Sequence, residues 1–163
     1  MEDWLSDPLM VFDRSKGCLT YRKPGIDDDQ AQKKWQSYHF AARVKLEGAA
    51  YFCRQLLGAA SLPIDLGLPL LAHRQREWYV SAFFFELCSA YDTVLQEINI
   101  IYDCGLDRRE VGWRAIEPRL PKTLATMMTN ERDTDWFKKM HWYRNTATHH
   151  WLIPMGESAA GWG

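Results

Sequence analysis

The sequence predicts an all-α fold, an up-and-down bundle of about four helices, and three observations lead there. Two long stretches repeat apolar residues by threes and fours, the spacing of one face of a helix. Gly58, Pro63, Gly67 and Pro69 fall together between those stretches, where backbone breakers belong. The pattern of a strand, by contrast, is confined to a short extended piece at Cys18–Tyr21. A chain of 163 residues that is 47% hydrophobic can bury one substantial core and is short for two ordinary domains. The expectation is therefore one domain over 1–163, with its core at about 30–153, an N-terminal extension over 1–27 and a loose tail over 157–163.

The first long stretch, Gln30 to Leu57, places Trp35, Tyr38, Ala42, Leu46, Ala49, Cys53, Leu56 and Leu57 on helical spacing. Asp27, Asp28 and Asp29 precede it, and acidic groups there accept free amide hydrogens and oppose the positive end of the helix dipole. Gly58 is the expected stop, and the segment to Pro69 is a connection. The second stretch, Leu70 to Tyr102, carries Phe83, Leu87, Tyr91, Val94, Ile98 and Ile101 on one stripe, with Gly105 as its stop. Phe84, Phe85, Cys88 and Leu95 lie outside that stripe, so this helix is apolar over much of its girth and should be the central one. Gly112, Pro118 and Pro121 interrupt the next segment, where Pro121 can open a short helix through Met128. A last helix should begin near Trp136, capped by Asp133 or Thr134, with Trp136, Met140 and Tyr143 on one face and Pro154 and Gly156 as its end.

Composition excludes several classes of function. The net charge of -1 argues against a protein that coats nucleic acid by bulk charge. The sum nonetheless hides an asymmetry: residues 1–107 hold 11 basic and 15 acidic side chains, whereas 108–150 hold 9 basic and 5 acidic, together with His141, His149 and His150. Cys18, Cys53, Cys88 and Cys104 form no Cys-x-x-Cys pair, which fits reduced thiols and a cytoplasmic location. Met1-Glu2-Asp3-Trp4 lacks the basic and apolar regions of a secretion signal, and no window approaches the ~18 uninterrupted apolar residues of a membrane span.

The chemistry concentrates in Tyr143-Arg144-Asn145-Thr146-Ala147-Thr148-His149-His150 within the cationic part. A guanidinium, an amide and an imidazole so close together could cleave RNA without a metal. One imidazole removes the 2'-hydroxyl proton, another protonates the leaving 5'-oxygen, and Arg144 neutralises the developing phosphorane. Asn145 would orient phosphate or ring. In a regular helix Arg144 and His149 are about 140° apart, while Asn145 and His149 stack at one-turn spacing. Either the helix breaks between Arg144 and His149, or two copies of the segment meet across a symmetric dimer, in which two copies of His149 supply both proton transfers. The bland alternative makes Arg144 a salt-bridge partner and His149 a hydrogen-bonded helix-end residue.

Supporting roles are open to Tyr143, His150, Glu86 and Glu97. The two glutamates are eleven residues apart, three turns, hence on one face, and either could hold the Arg144 guanidinium. Asp92 points the other way, beside Phe85, Cys88 and Asn99, where a buried carboxylate would need partners. His141, His149 and His150 invite a metal reading, but no His-x-x-x-His or His-Glu-x-x-His spacing supports it, so no metal or other cofactor is expected. Trp35, Trp78, Trp113, Trp136 and Trp142 can stack on unpaired bases, although at helical spacing such residues usually pack in the core.

The segment from Tyr143 to His149, together with Phe85-Glu86-Leu87-Cys88-Ser89-Ala90-Tyr91-Asp92-Thr93-Val94-Leu95-Gln96-Glu97-Ile98-Asn99, resembles the HEPN superfamily of small all-α domains. The first matches that family's Arg, polar residue and His signature; the second is similar to the long second helix of several such families. The resemblance covers roughly Gln30 to His150. It implies that Arg144, Asn145 and His149 form a metal-independent endoribonuclease site at a homodimer interface, leaving a 2',3'-cyclic phosphate and a 5'-hydroxyl. It also implies a prokaryotic defence or toxin-antitoxin setting, with RNA as substrate and a cognate antitoxin or regulatory protein as a further partner. The 13 residues given after His150 include Pro154, Gly156, Gly161 and Gly163, so a complete further helix after the motif is not expected there. Some HEPN domains are non-catalytic RNA- or protein-binding modules, so that alternative stands beside the nuclease, as does a metal-dependent helical-bundle enzyme.

Overall fold

The computed structural model describes residues 10–13, 18–21, 23, 25–60 and 69–149, and helices dominate them. In chain order they are α1 (Asp29–Ala60), α2 (Pro69–Ile101), α3 (Trp113–Ile116), α4 (Lys122–Arg132) and α5 (Asp135–His149), with a 3-10 turn at Glu117–Arg119. The chain is all-α apart from an antiparallel ribbon, β1 (Met10–Asp13) against β2 (Cys18–Tyr21), in register from Met10 opposite Tyr21 to Asp13 opposite Cys18. Extended backbone is therefore found at Cys18–Tyr21 as expected. Its partner strand was hidden because Met10-Val11-Phe12 does not alternate. The expected helix stop at Pro154 and Gly156 and the tail 157–163 lie outside the described residues.

The fold groups into two compact units, neither of them one continuous stretch of chain: residues up to 44 go with 90–125, and 45–89 with 126–163. Each of the two long helices contributes to both units, α1 with 29–44 and 45–60, α2 with 90–101 and 69–89.

In the first unit, Asp28 caps α1 as the acidic run requires, its Oδ2 accepting the Ala31 N–H at 2.6 Å. Trp35, Ala42, Leu95 and Ile98 are buried. The end of α2 departs from expectation. The Cys104 N–H donates to the Asn99 carbonyl at 2.9 Å and the Asp103 N–H to the Ile100 carbonyl at 3.2 Å, while Asp103 takes the left-handed conformation at φ 45°. This is the Schellman pattern with Asp103 in the place usually held by glycine. Gly105, the expected stop, instead shapes the loop beyond at φ 66°. Asn99 fixes that loop by donating to the Leu106 carbonyl at 2.9 Å and accepting its N–H at 3.2 Å. Asp92, expected to be buried, is exposed.

In the second unit, α1 and α2 run antiparallel, since Lys45 meets Glu86 and, seven residues on, Phe52 meets Tyr79, seven residues back. The same reasoning makes α5 antiparallel to α2: Cys88 lies under the Met140 carbonyl and Phe84 against Tyr143. Up-and-down packing is thus present within this unit.

Three other sequence expectations need correction. The helix α1 passes through Gly58 to Ala60, because one glycine costs a helix only about 1 kcal/mol. Leu46 and Leu57 are exposed. The buried line Trp35, Ala42 and Ala49 recurs every seven residues and so drifts about 20° per repeat around a 3.6-residue helix, leaving both leucines on its trailing side. Of the expected face of α5, Met140 and Tyr143 turn inward, but Trp136 is exposed and its neighbour Phe137 is buried in its stead.

Candidate active site

The helix carrying the Arg-Asn-His motif starts where sequence predicted, although its cap works differently. Thr134 lies just ahead of Asp135, and its carbonyl accepts the Lys138 N–H at 3.2 Å. The Thr134 hydroxyl, expected to cap α5, instead donates backward to the Glu131 carbonyl at 2.5 Å, closing the end of α4. Trp136 joins the same corner, its indole N–H donating to Glu131 Oε1 at 2.8 Å.

From there α5 is unbroken to His149. Of the two arrangements open in the sequence, the broken helix is thereby excluded. At 100° per residue, Arg144 and His149 diverge by about 140° within one chain. The inward line of α5 advances by threes: Phe137, Met140 and Thr146 are buried, and Tyr143 lies flat on Phe84 with ring centroids 4.6 Å apart and planes at 7°. That stack fixes the backbone immediately before the motif. Arg144 is half-buried and Asn145 exposed. The position of His149 is three residues on from buried Thr146 and four on from exposed Asn145, which puts it at the border of the two faces; its side chain, and all of His150, lie outside the described residues. His141 is taken up by packing, its ring 4.7 Å from that of Phe137.

The glutamates expected to reach Arg144 are held elsewhere. Glu86 Oε2 takes the Lys45 ammonium at 3.0 Å. Gly48 lies against that glutamate, where an added Cβ would make ordinary contact with its Cγ at 3.4 Å. Glu97 belongs to the other unit and receives His39 Nδ1 at 3.1 Å. Burial pushes the Glu97 carboxyl above its ordinary 4.5, with His39 and Trp35 opposing the shift.

Comparison with protein-family models, curated proteins and solved structures found no match. What the site can do therefore rests on its own residues. After Asp135 the described part of α5 carries Lys138, Lys139 and Arg144 and no carboxylate, so its free surface favours anions. Among the described residues no group of three or more His, Cys, Asp or Glu side chains is arranged to hold a metal ion, and no helix is long and apolar enough to cross a membrane.

Sequence reasoning missed two features. His39 went unnoticed because a single histidine carries no pattern; its signal is the spacing to Trp35, on which it stacks at 4.8 Å one turn later. The other is the face formed by Lys138, Trp142 and Asn145, at spacings of four and three residues, all exposed. The sequence marks Trp142 among the five tryptophans able to stack on bases, but with core packing favoured for all five alike it does not single out this face.

Proposed function

We propose that this chain is a HEPN-type endoribonuclease that cleaves single-stranded RNA without a metal ion, acting as a homodimer in a prokaryotic cytoplasm. One copy of His149 takes the 2'-hydroxyl proton as that oxygen attacks phosphorus. The bond from phosphorus to the 5'-oxygen breaks, and the second copy of His149 supplies the proton that oxygen needs. A 2',3'-cyclic phosphate and a 5'-hydroxyl result. Arg144 neutralises the phosphorane, Asn145 orients it, Tyr143 anchors the helix, and His150 adds to the local cation. A defence or toxin-antitoxin role, with a cognate protein that restrains the activity, goes with this reading.

The observation that carries the reading is the unbroken helix through the motif. It gives Asn145 and His149 one-turn spacing at the edge of an exposed face that carries no carboxylate after Asp135 in the described part of the helix, so that a two-fold axis near this edge would bring two imidazoles and two guanidiniums to one phosphodiester. His149→Ala and Arg144→Ala should each abolish cleavage of a defined single-stranded RNA with the helical content intact, and a chelator should leave the rate unchanged. Wild-type cleavage by either variant would remove that residue from the mechanism.

The divergence of about 140° between Arg144 and His149 on one helix favours a second reading, a HEPN-like module that binds RNA or protein without turnover. It predicts binding with no new RNA ends.

A further inference from the structure

We infer that Trp142 is a base-stacking platform for single-stranded RNA on the exposed face of α5, flanked by Lys138 as a phosphate contact. This deepens the reading of the chain as an RNA-acting protein and rests on it for the ligand class.

The face is defined by the helix. Lys138, Trp142 and Asn145 fall within about 60° of one another, and Trp142 is seven residues, about 10 Å along the axis, ahead of His149. Phe137 and Met140 on α5 are turned inward, whereas two tryptophans stay exposed, Trp136, whose indole N–H is bonded to Glu131, and Trp142, which keeps 42% of its surface exposed. Its orientation is set from below. The Phe84 and Tyr143 rings lie flat together, and the Trp142 indole stands across Tyr143 at 76°, with centroids 4.9 Å apart. An aromatic ring held at a fixed angle loses little freedom when a base stacks on it.

Charge selects the occupant. Lys138 has only a long ion pair, 3.8 Å to Asp133, with both side chains largely exposed. Exposed pairs of that kind are worth little, so a phosphate can take the ammonium over. No carboxylate follows Asp135 on the described part of α5. An aromatic plane beside a cation and an amide is the combination that tracks unpaired nucleic acid, since every base offers a π-face to the ring and every linkage a charge to the lysine.

The test uses the full chain and two fluorescent 12-mers that cannot be cleaved: a single-stranded 2'-O-methyl RNA and the same backbone with its bases removed. Trp142→Ala should weaken binding of the first by roughly 5- to 150-fold, the worth of one stacked base, and leave binding of the abasic strand unchanged. Trp142→Phe should stay within about threefold of wild type. Equal loss on both strands, no loss on either, or no binding by the wild-type chain would overturn the inference. So would a Trp142→Ala chain that binds normally per monomer but no longer self-associates in sedimentation, because the face would then belong to a second copy. The nuclease reading is judged apart: a wild-type chain that binds in this base-dependent way and never cleaves unmodified RNA keeps the platform and loses the catalysis, and a Trp142→Ala chain that cleaves and binds normally does the reverse.

Discussion

Among the described residues, Glu97 is a carboxylate whose surroundings raise its pKa. It is buried against His39, which is stacked in turn on Trp35, itself only 1% exposed. Because burial raises its pKa, folded Glu97 keeps a proton that the unfolded chain releases near pH 4.5. Its stabilising contribution is therefore full below that pH and is lost as pH rises through the higher folded value. Glu97→Gln keeps the shape of the protonated acid and cannot titrate. Relative to that variant, wild type should lose stability in urea unfolding as pH is raised from about 4 to about 7; a difference between them that stays flat with pH would rule this account out. The sequence marked Glu97 by its place on α2 but left its partner open. Three-turn spacing fixes which face a glutamate occupies, and only the packing of two helices decides that His39 meets it.

Among the helices, α1 and α2 were legible almost to the residue, because long amphipathic repeats leave little freedom once bounded by breakers. Their ends were read less well. Asp28 was recognised as a capping residue, and Asp28→Ala should cost about 1 kcal/mol in chemical unfolding by leaving the Ala31 N–H unsatisfied; a loss below a few tenths would show that solvent replaces the carboxylate. Gly58 and Gly105, the most conspicuous stop signals, end neither helix. The termination of α2 is built by Asp103 in a left-handed turn and by the Asn99 side chain gripping Leu106, devices that residue type alone does not announce. In α5 the element and two residues of its inward face, Met140 and Tyr143, were legible, but its first turn was not, since Trp136 and Phe137 are both large and apolar and only packing decides which one turns in.

For the whole molecule, the charge asymmetry visible in the sequence survives folding in the run of cations on α5. The convergence of Arg144 with His149, however, is not a property of one chain. On the proposed dimeric mechanism, specific activity should fall on dilution in step with the dimer fraction measured by sedimentation, and activity per chain that is constant in a strictly monomeric sample would defeat it. The grouping of the chain into two units was beyond sequence reasoning, because it cuts across both long helices at points with no breaker. One buried atom gives access to the motion that matters here. The Cys88 sulfur is wholly covered, 3.8 Å beneath the Met140 carbonyl, so an alkylating reagent must wait until the packing around it opens, α5 included, before it can react. The speed of that labelling is then a clock for how firmly the motif-bearing helix is held down, written into the chain without any engineered probe.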